Sequence, residues 1–436
     1  MATIEHFIGH PVVQKSVRDA KTACQGKEIS DILDANGLQY VDLVMEGGGV
    51  LGVALTGYTY VLEQAGIRFL GIGGTSAGSI NALMIAALGP PEEAKSETLL
   101  RVRAEMPMGA FIDGDQDARD FSHAVLNKVG MMKLPWKAMQ IMDNLTDDLG
   151  LNPGTAFFNW LTDELTQAGI RTNADLLNRL RTVPRGLRLR PSRTDADLKG
   201  DDTYGKLIMV AIGITTKTKV KFLRMAELYW AYSDEVNPAC FARASMSIPF
   251  FFHPFRVDHC PQDKAKWNAL ADYNGSLPDS VMFIDGGIMS NFPINVFHQP
   301  YRVPTSPTFG AKIGADREQP AMISKPSQLL SAVFDAARHT LDFDFISRNP
   351  DYEHLVAMID TGDHNWLNFS MEDRDKVDLF ARGAKAAADF LRTFNWTKYK
   401  TIRKGIADAF LASYNNNDVS AAMSGKGHRI GALSTP

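Results

Sequence analysis

A chain of 436 residues with 45% apolar and 22% charged residues has the make-up of a globular protein with a sizeable core, which excludes a wholly disordered one. A net charge of −4 and a pI near 6.2 offer no global attraction to nucleic acid or anionic lipid, so any such contact has to come from a local patch. The three cysteines, Cys24, Cys240 and Cys260, form no disulfide framework, and no run approaches the about 20 apolar residues of a membrane span. With neither a basic start nor an apolar signal core at its N-terminus, the sequence reads as cytoplasmic, although delivery to another cell without a cleaved signal would leave no trace.

Residues 1–37 read as a polar N-terminal leader. Strand-like YVDLVM (40–45) follows, then the glycine turn EGGGVLG. A helix is predicted over 53–65, where Ala54, Tyr58, Val61, Leu62 and Ala65 keep the helical period and Gly66 caps the end. A second strand, IRFLGIG, runs into GTSAG (74–78), and a second helix, AGSINALMIAAL, is stopped by GPP. Two strand-turn-helix units within 50 residues predict an α/β domain whose central sheet is mainly parallel.

A mainly helical insertion is expected over about 92–195. Buried-strand candidates follow at KLIMVAIGI (206–214) and FARASMSIPFFF (241–252). After a polar insertion, VMFID (281–285) reads as a short strand ending in Gly286 and Gly287. The remainder divides into a mostly helical extension over 326–413, interrupted by strand-like LVAMID (355–360), and a flexible tail over 414–436, with the catalytic domain at 38–325.

The glycine turn admits two readings. Gly47, Gly49 and Gly52 satisfy G-x-G-x-x-G, but a dinucleotide site also needs an acid at the end of the second strand, and no carboxylate occurs from Gly66 to Leu88. That strand carries Ser76 instead. Its flanking glycines, Gly74 and Gly78, remove the side chains that would collide in a sharp strand-to-helix turn. The pentapeptide is weak alone and stronger between a strand and a helix. If the two strands are parallel neighbours, the amides of Gly48 and Gly49 face Ser76 at a helix N-terminus and can hold a developing oxyanion. None of the ten histidines has a convincing context as base; His298, His339, His354 and His364 qualify only by following the serine. Asp285, at the end of an apolar strand before two glycines, is the better candidate, with a turn-forming Asp-Gly as its plain alternative.

Together EGGGVLG, GTSAG and DGG, in that order, resemble the patatin-like phospholipase family, and the resemblance extends through LIMVAIGI and ARASMSIPFFF over about residues 38–310. It implies a three-layer fold with a mainly parallel sheet flanked by helices. It also implies a Ser-Asp dyad, with Ser76 as nucleophile, Asp285 as base and the amides of Gly47, Gly48 and Gly49 as oxyanion hole, supported by Gly52, Gly74, Gly78, Gly286 and Gly287. Leu51 departs from the basic residue often found there in the family, so any charge from that position is missing. The implied activity is hydrolysis of phospholipid or lysophospholipid esters through an acyl-serine, with no cofactor or metal, no nucleic acid and peripheral contact with membranes; activity should fall on acidification. A small-substrate carboxylesterase or thioesterase and a non-catalytic lipid-binding module are the competing readings, and an activator or oligomer is left open.

Three further stretches invite function. Asp113, Asp115 and Asp117 match the start of a calcium loop, but Ala118 and Ala124 replace its glycine and glutamate, which favours a solvated turn. MMKLPWKAMQIMDNL (131–145) suits either a lipid-contacting lid or core filling. FLRTFNWTKYKTIRKG (390–405) suits either headgroup contact or an amphipathic helix packed on the body.

Overall fold

A computed structural model describes residues 3–115, 148–198, 203–314 and 345–412, with single positions at 320, 323 and 336. The 131–145 stretch, His339 and the 414–436 tail lie outside the described residues. The leader forms helices α1 (Ile4–Ile8) and α2 (Pro11–Cys24) and strand β1 (Ile32–Leu33), and strand β2 (Gln39–Met45) comes after it. Helix α3 (Gly52–Gln64), strand β3 (Ile67–Thr75) and helix α4 (Ala77–Ala87) follow, close to the bounds that hydrophobic period and glycine punctuation predict. The insertion contributes α5 (Ser96–Glu105), β4 (Gly150–Asn152), α6 (Thr155–Gln167), α7 (Asn173–Leu180) and β5 (Arg188–Leu189). Next come β6 (Lys206–Gly213), β7 (Thr218–Phe222), α8 (Ala239–Ser245), β8 (Phe250–Phe252), β9 (Phe255–Asp258), α9 (Lys264–Ala271), β10 (Ser280–Asp285) and α10 (Gly287–Ser290). The last elements are β11 (Thr308–Ile313), β12 (Val356–Ile359), α11 (Asp373–Thr393) and α12 (Trp396–Ala412).

The expected mainly parallel sheet is corrected to a mixed one. Strands β12, β11, β2, β3 and β6 are joined by parallel pairings. Beyond β6 the order changes: β7 and β10 both pair with it antiparallel, and β9 pairs antiparallel with β10. A parallel neighbour requires a long crossover, whereas the chain turns back from β6 into β7 within the short loop 214–217. The segment 241–252 is corrected too. It begins as α8, not as a strand, with its apolar residues packed on β6 and β10.

Helices α3 and α4 are buried almost throughout, as is every residue of β3. The cover over α3 is α11, which approaches so closely that a methyl on Gly383 would meet the Ala54 carbonyl oxygen at 1.8 Å. Helix α2 packs on the same α11, so the N-terminal helices and α11 are tied to the central domain. The basic segment 390–405 does likewise: Trp396, Tyr399 and Arg403 are buried, and Lys400 reaches Asp31 at 2.8 Å. Its aromatic side chains, Lys400 and Arg403 serve packing, while Arg392, Lys398 and Lys404 are exposed. No helix among the described residues is long and apolar enough to cross a membrane.

Candidate active site

Strand β6 brings the two halves of the site together. A strand has two edges. Strand β7 occupies one of them along Met209–Gly213, so β3 and β10, which pair with overlapping and adjoining residues, share the other. They approach from opposite ends. Thr75 of β3 stands against Val210 and Asp285 of β10 against the next residue, Ala211. The strands therefore meet end to end, and Ser76 and Asp285 flank the junction. The strands before the glycine turn and before Ser76 are the parallel neighbours expected, whereas the strand that carries Asp285 runs antiparallel to β6.

Both chains must leave the sheet at that junction. The first does so at Ser76, whose φ of +52° and ψ of −121° lie in a region that costs a non-glycine residue about 1–3 kcal/mol. A methyl on Gly78 would stand 2.2 Å from the Met45 carbonyl oxygen, and one on Gly74 would stand 2.4 Å from the Gly78 carbonyl carbon. Gly78 thus answers steric closeness to β2, and Gly74 closeness to the first turn of α4. The second chain leaves at Gly286, where a methyl would lie 2.3 Å from the Val210 oxygen and 3.0 Å from Thr75 Cγ2.

The end of α8 holds both departures. The Ser76 amide donates to Ser245 Oγ (2.9 Å), which donates in turn to the Val210 carbonyl (2.6 Å). The Gly286 amide donates to the Ser245 carbonyl (3.3 Å) and the Asp285 amide to the Ser247 carbonyl (2.8 Å). Asp285 Oδ1 accepts from the Gly287 amide at 2.6 Å. Arg243 anchors the segment by donating to Ser247 Oγ and to the carbonyls of Pro153 and His253. Ser76 and Asp285 are 4% and 7% exposed, so both are largely withdrawn from water.

The glycine turn lies against the serine: a methyl on Gly47 would be 3.1 Å from Ser76 Cβ. Its three amides are not equivalent. That of Gly47 donates to the Asn291 carbonyl (3.0 Å), which corrects its assignment to an oxyanion hole. Among the described residues, the amides of Gly48 and Gly49 have no acceptor. Gly49 adopts φ +54°, and a methyl there would fall 2.1 Å from the Trp366 carbonyl oxygen, which accepts the Val50 amide at 3.0 Å. Asn291 also donates through Nδ2 to Glu46 Oε1 (3.0 Å) and the Gly47 carbonyl (3.1 Å), locking the turn to the loop after Asp285. Gly52 opens α3 against Ala77.

Beside Ser76 lies an apolar cavity of about 30 Å³, walled by Met106, Phe111, Phe157, Met246, Ile248 and Phe369. It has room for about one water molecule. A groove of about 610 Å³ between α2, α11 and β12 is larger, but none of the residues named above lines it. The candidate histidines among the described residues stand elsewhere. His298 is bound to Tyr352 Oη at 2.9 Å and burial drives its pKa down to about 3; His364 is bound to Asp378; His354 is exposed. Asp113 receives the amides of Gly154 and Ala156, both at 2.9 Å, at the start of α6. Among the described residues no group of three His, Cys, Asp or Glu could hold a metal ion.

Several contributors carry no sequence signal that pattern reasoning could weigh. Trp366 and Phe369 come from beyond the segment that resembles the family, and Arg103 comes from the insertion. Ser245 and Asn291 stand inside or beside quoted motifs, where a hydroxyl or amide on a buried turn was the available hint.

Comparisons with known proteins bear on the family of the chain. Uncharacterized protein YqhO of Bacillus subtilis (strain 168) is 26% identical over 362 residues, 82% of this chain and 99% of its own. VipD from Legionella pneumophila aligns over 84% of this chain and 70% of its own, at 13% identity and a TM-score of 0.39. The ExoU–SpcU heterodimer from the type III secretion system of Pseudomonas aeruginosa aligns over 88% and 57%, at 15% identity and a TM-score of 0.29. These two scores are too low to carry an argument. The sequence pattern of the family described as Patatin-like phospholipase, however, matches residues 43–298, more than half of the chain and all three glycine-bearing motifs. The chain belongs to the patatin-like phospholipase family and is an ester-hydrolysing enzyme.

Proposed function

We propose that the protein is a serine lipid acyl hydrolase of the phospholipase A or lysophospholipase type, with Ser76 and Asp285 as its dyad. The observation that carries this reading is the junction on β6, where the strand leading into a strained serine and the strand ending in a buried carboxylate stop against consecutive residues, beside an apolar cavity. Asp285 takes the Ser76 hydroxyl proton as Oγ bonds to the ester carbonyl carbon. The carbonyl π pair moves onto oxygen, and the amides of Gly48 and Gly49 hold the resulting oxyanion. Collapse breaks the ester C–O bond and the departing alcohol takes the proton from Asp285. Water then attacks the acyl-serine, giving its proton to the same carboxylate, and the fatty acid leaves as Ser76 regains a proton.

The cavity favours an acyl chain over a polar group, since its walls are mostly aromatic and aliphatic side chains, with Ser76 and Arg103 as the polar ones. At about 30 Å³ it admits no chain in this conformation. Phe369 is the wall that does not belong to the family-matched segment, and it stacks on Phe251 with centroids 5.0 Å apart. Its displacement would open the space. On this reading the central domain spans 38–325 and the segment 326–413 is an extension that helps to close the site.

The test is fatty-acid release from mixed-chain phosphatidylcholine micelles, read by mass spectrometry, for wild type beside Ser76→Ala and Asp285→Ala. Release by wild type alone supports the dyad, and the chain that appears identifies the bond. Release by Ser76→Ala at the wild-type rate would remove the serine from the reaction.

A further inference from the structure

Arg103 is 2% exposed, on the inward face of α5, and its side chain lines the cavity that also contains Ser76 and Gly49. Nε donates to Asn81 Oδ1 (2.9 Å), Nη2 to the Ala77 carbonyl (3.3 Å) and Nη1 to Met106 Sδ (3.4 Å). Every one of these partners is neutral. Two other buried arginines differ: Arg403 pairs with Asp351 at 3.4 Å, and Arg243 stands in the field of Asp113. Charged groups on the elements around α5 are engaged away from Arg103. Arg101 pairs with Glu105 on the exposed face, and Lys376 of α11 donates to the Ala104 carbonyl. Burial lowers the guanidinium pKa to about 10, which leaves it charged at neutral pH.

An uncompensated buried cation costs several kcal/mol unless an anion repays it. The place where an anion forms is adjacent. Nη2 would lie 3.0 Å from a methyl on Gly52, at the start of α3, and it contacts Ala77, the residue after Ser76 and the first of α4. Both helices turn their positive ends toward the oxyanion site, and Leu51 adds no charge to the glycine turn.

We propose that Arg103 is a positioning residue of the oxyanion site, its unpaired guanidinium stabilising the charge that develops on the substrate carbonyl oxygen through the first turns of α3 and α4. The inference rests on the Ser76 reading above. Arg103 takes part in no bond making or breaking. Because it acts at the reacting carbonyl and not at a headgroup, it serves neutral and phosphate-bearing esters alike.

An alkyl boronic acid, which forms a tetrahedral anion on a nucleophilic serine, probes this without turnover. Binding is measured for wild type, Ser76→Ala, Arg103→Met and Arg103→Lys, each first shown by thermal melting to be folded. Expected are loss of binding in Ser76→Ala, about 10- to 100-fold weaker binding in Arg103→Met, and recovery in Arg103→Lys at pH 7. A buried lysine loses its proton more easily than arginine, so binding to Arg103→Lys should weaken toward alkaline pH beyond the wild-type trend. In turnover, Arg103→Met should lower kcat by a similar factor on a neutral monoacylglycerol and on lysophosphatidylcholine, with KM nearly unchanged. Equal binding by wild type and Ser76→Ala removes the serine reading and this inference with it. Binding lost in Ser76→Ala but equal in wild type and Arg103→Met removes this inference alone, as does a kcat loss confined to the phospholipid.

Discussion

The two halves of the sheet place their proposed catalytic residues by different means. In the parallel half, β2, β3 and the helices that follow them are contiguous in sequence, and Ser76 is set by a local turn whose glycines clear the neighbouring backbone. In the antiparallel half, the side chain of Asp285 has a local contact, the Gly287 amide on Oδ1, but its backbone is held from elsewhere. It is positioned by the carbonyl of Ser247 above it and by the point at which β10 runs out against β3. One residue is placed by its own turn and the other by its neighbours, so the two should respond differently to substitution.

The largest effect expected from breaking either half short of its reactive residue comes from the close-packed glycines. Gly78→Ala brings a methyl to 2.2 Å from the Met45 carbonyl, and Gly286→Ala brings one to 2.3 Å from that of Val210. Backbone cannot yield cheaply on either side, so each should lose at least about 100-fold in kcat/KM, comparable with a misplaced reacting group. Esterase assays on folded protein check this; full activity in either would mean that its half tolerates displacement.

Ser245→Ala strikes both halves at once. It removes the acceptor of the Ser76 amide and the donor to Val210, leaving buried groups unsatisfied at a cost of about 1–3 kcal/mol. Denaturant midpoints and kcat should both fall. A stability loss with wild-type kcat would show that the serine turn holds itself without α8.

Ser76→Gly sharpens the comparison in the opposite direction. At φ +52° glycine relieves strain, so the variant should be inactive yet more stable by about 1 kcal/mol. Asp285→Gly has no such strain to release and should gain nothing. Equal melting of Ser76→Gly and wild type would deny that the turn stores energy.

The smallest expected effect lies outside both halves. His298 titrates near 3 when folded and near about 6.5 when unfolded, so the unfolded chain binds more protons in between. Stability should therefore fall as pH drops from about 6.5 toward about 3, and His298→Gln should flatten that slope. An unchanged slope would assign acid sensitivity to other groups.

The asymmetry of the halves also explains what could be read from sequence. Hydrophobic period and glycine spacing located β2, α3, β3 and α4 within about two residues, because each boundary is written in adjacent side chains. The direction of β10 is set by pairing with β6, some 70 residues earlier, and VMFID looks the same in either direction. FARASM reads as a buried strand for a related reason: a short apolar run has no period long enough to separate strand from helix. The engaged amide of Gly47 and the carbonyl of Trp366 over Gly49 depend on partners 244 and 317 positions away, which no local pattern records. Arg103 was invisible as a site residue because an arginine in a helical stretch is ordinarily solvated.

The most direct measurement is labelling by an alkyl fluorophosphonate, followed in time by intact mass and located by peptide mapping, in wild type and in Asp285→Ala. One adduct on Ser76, formed at least about 1000-fold more slowly without Asp285, is the expected result. Labelling of another residue, or of Ser76 at an unchanged rate in Asp285→Ala, would contradict the dyad at the β6 junction.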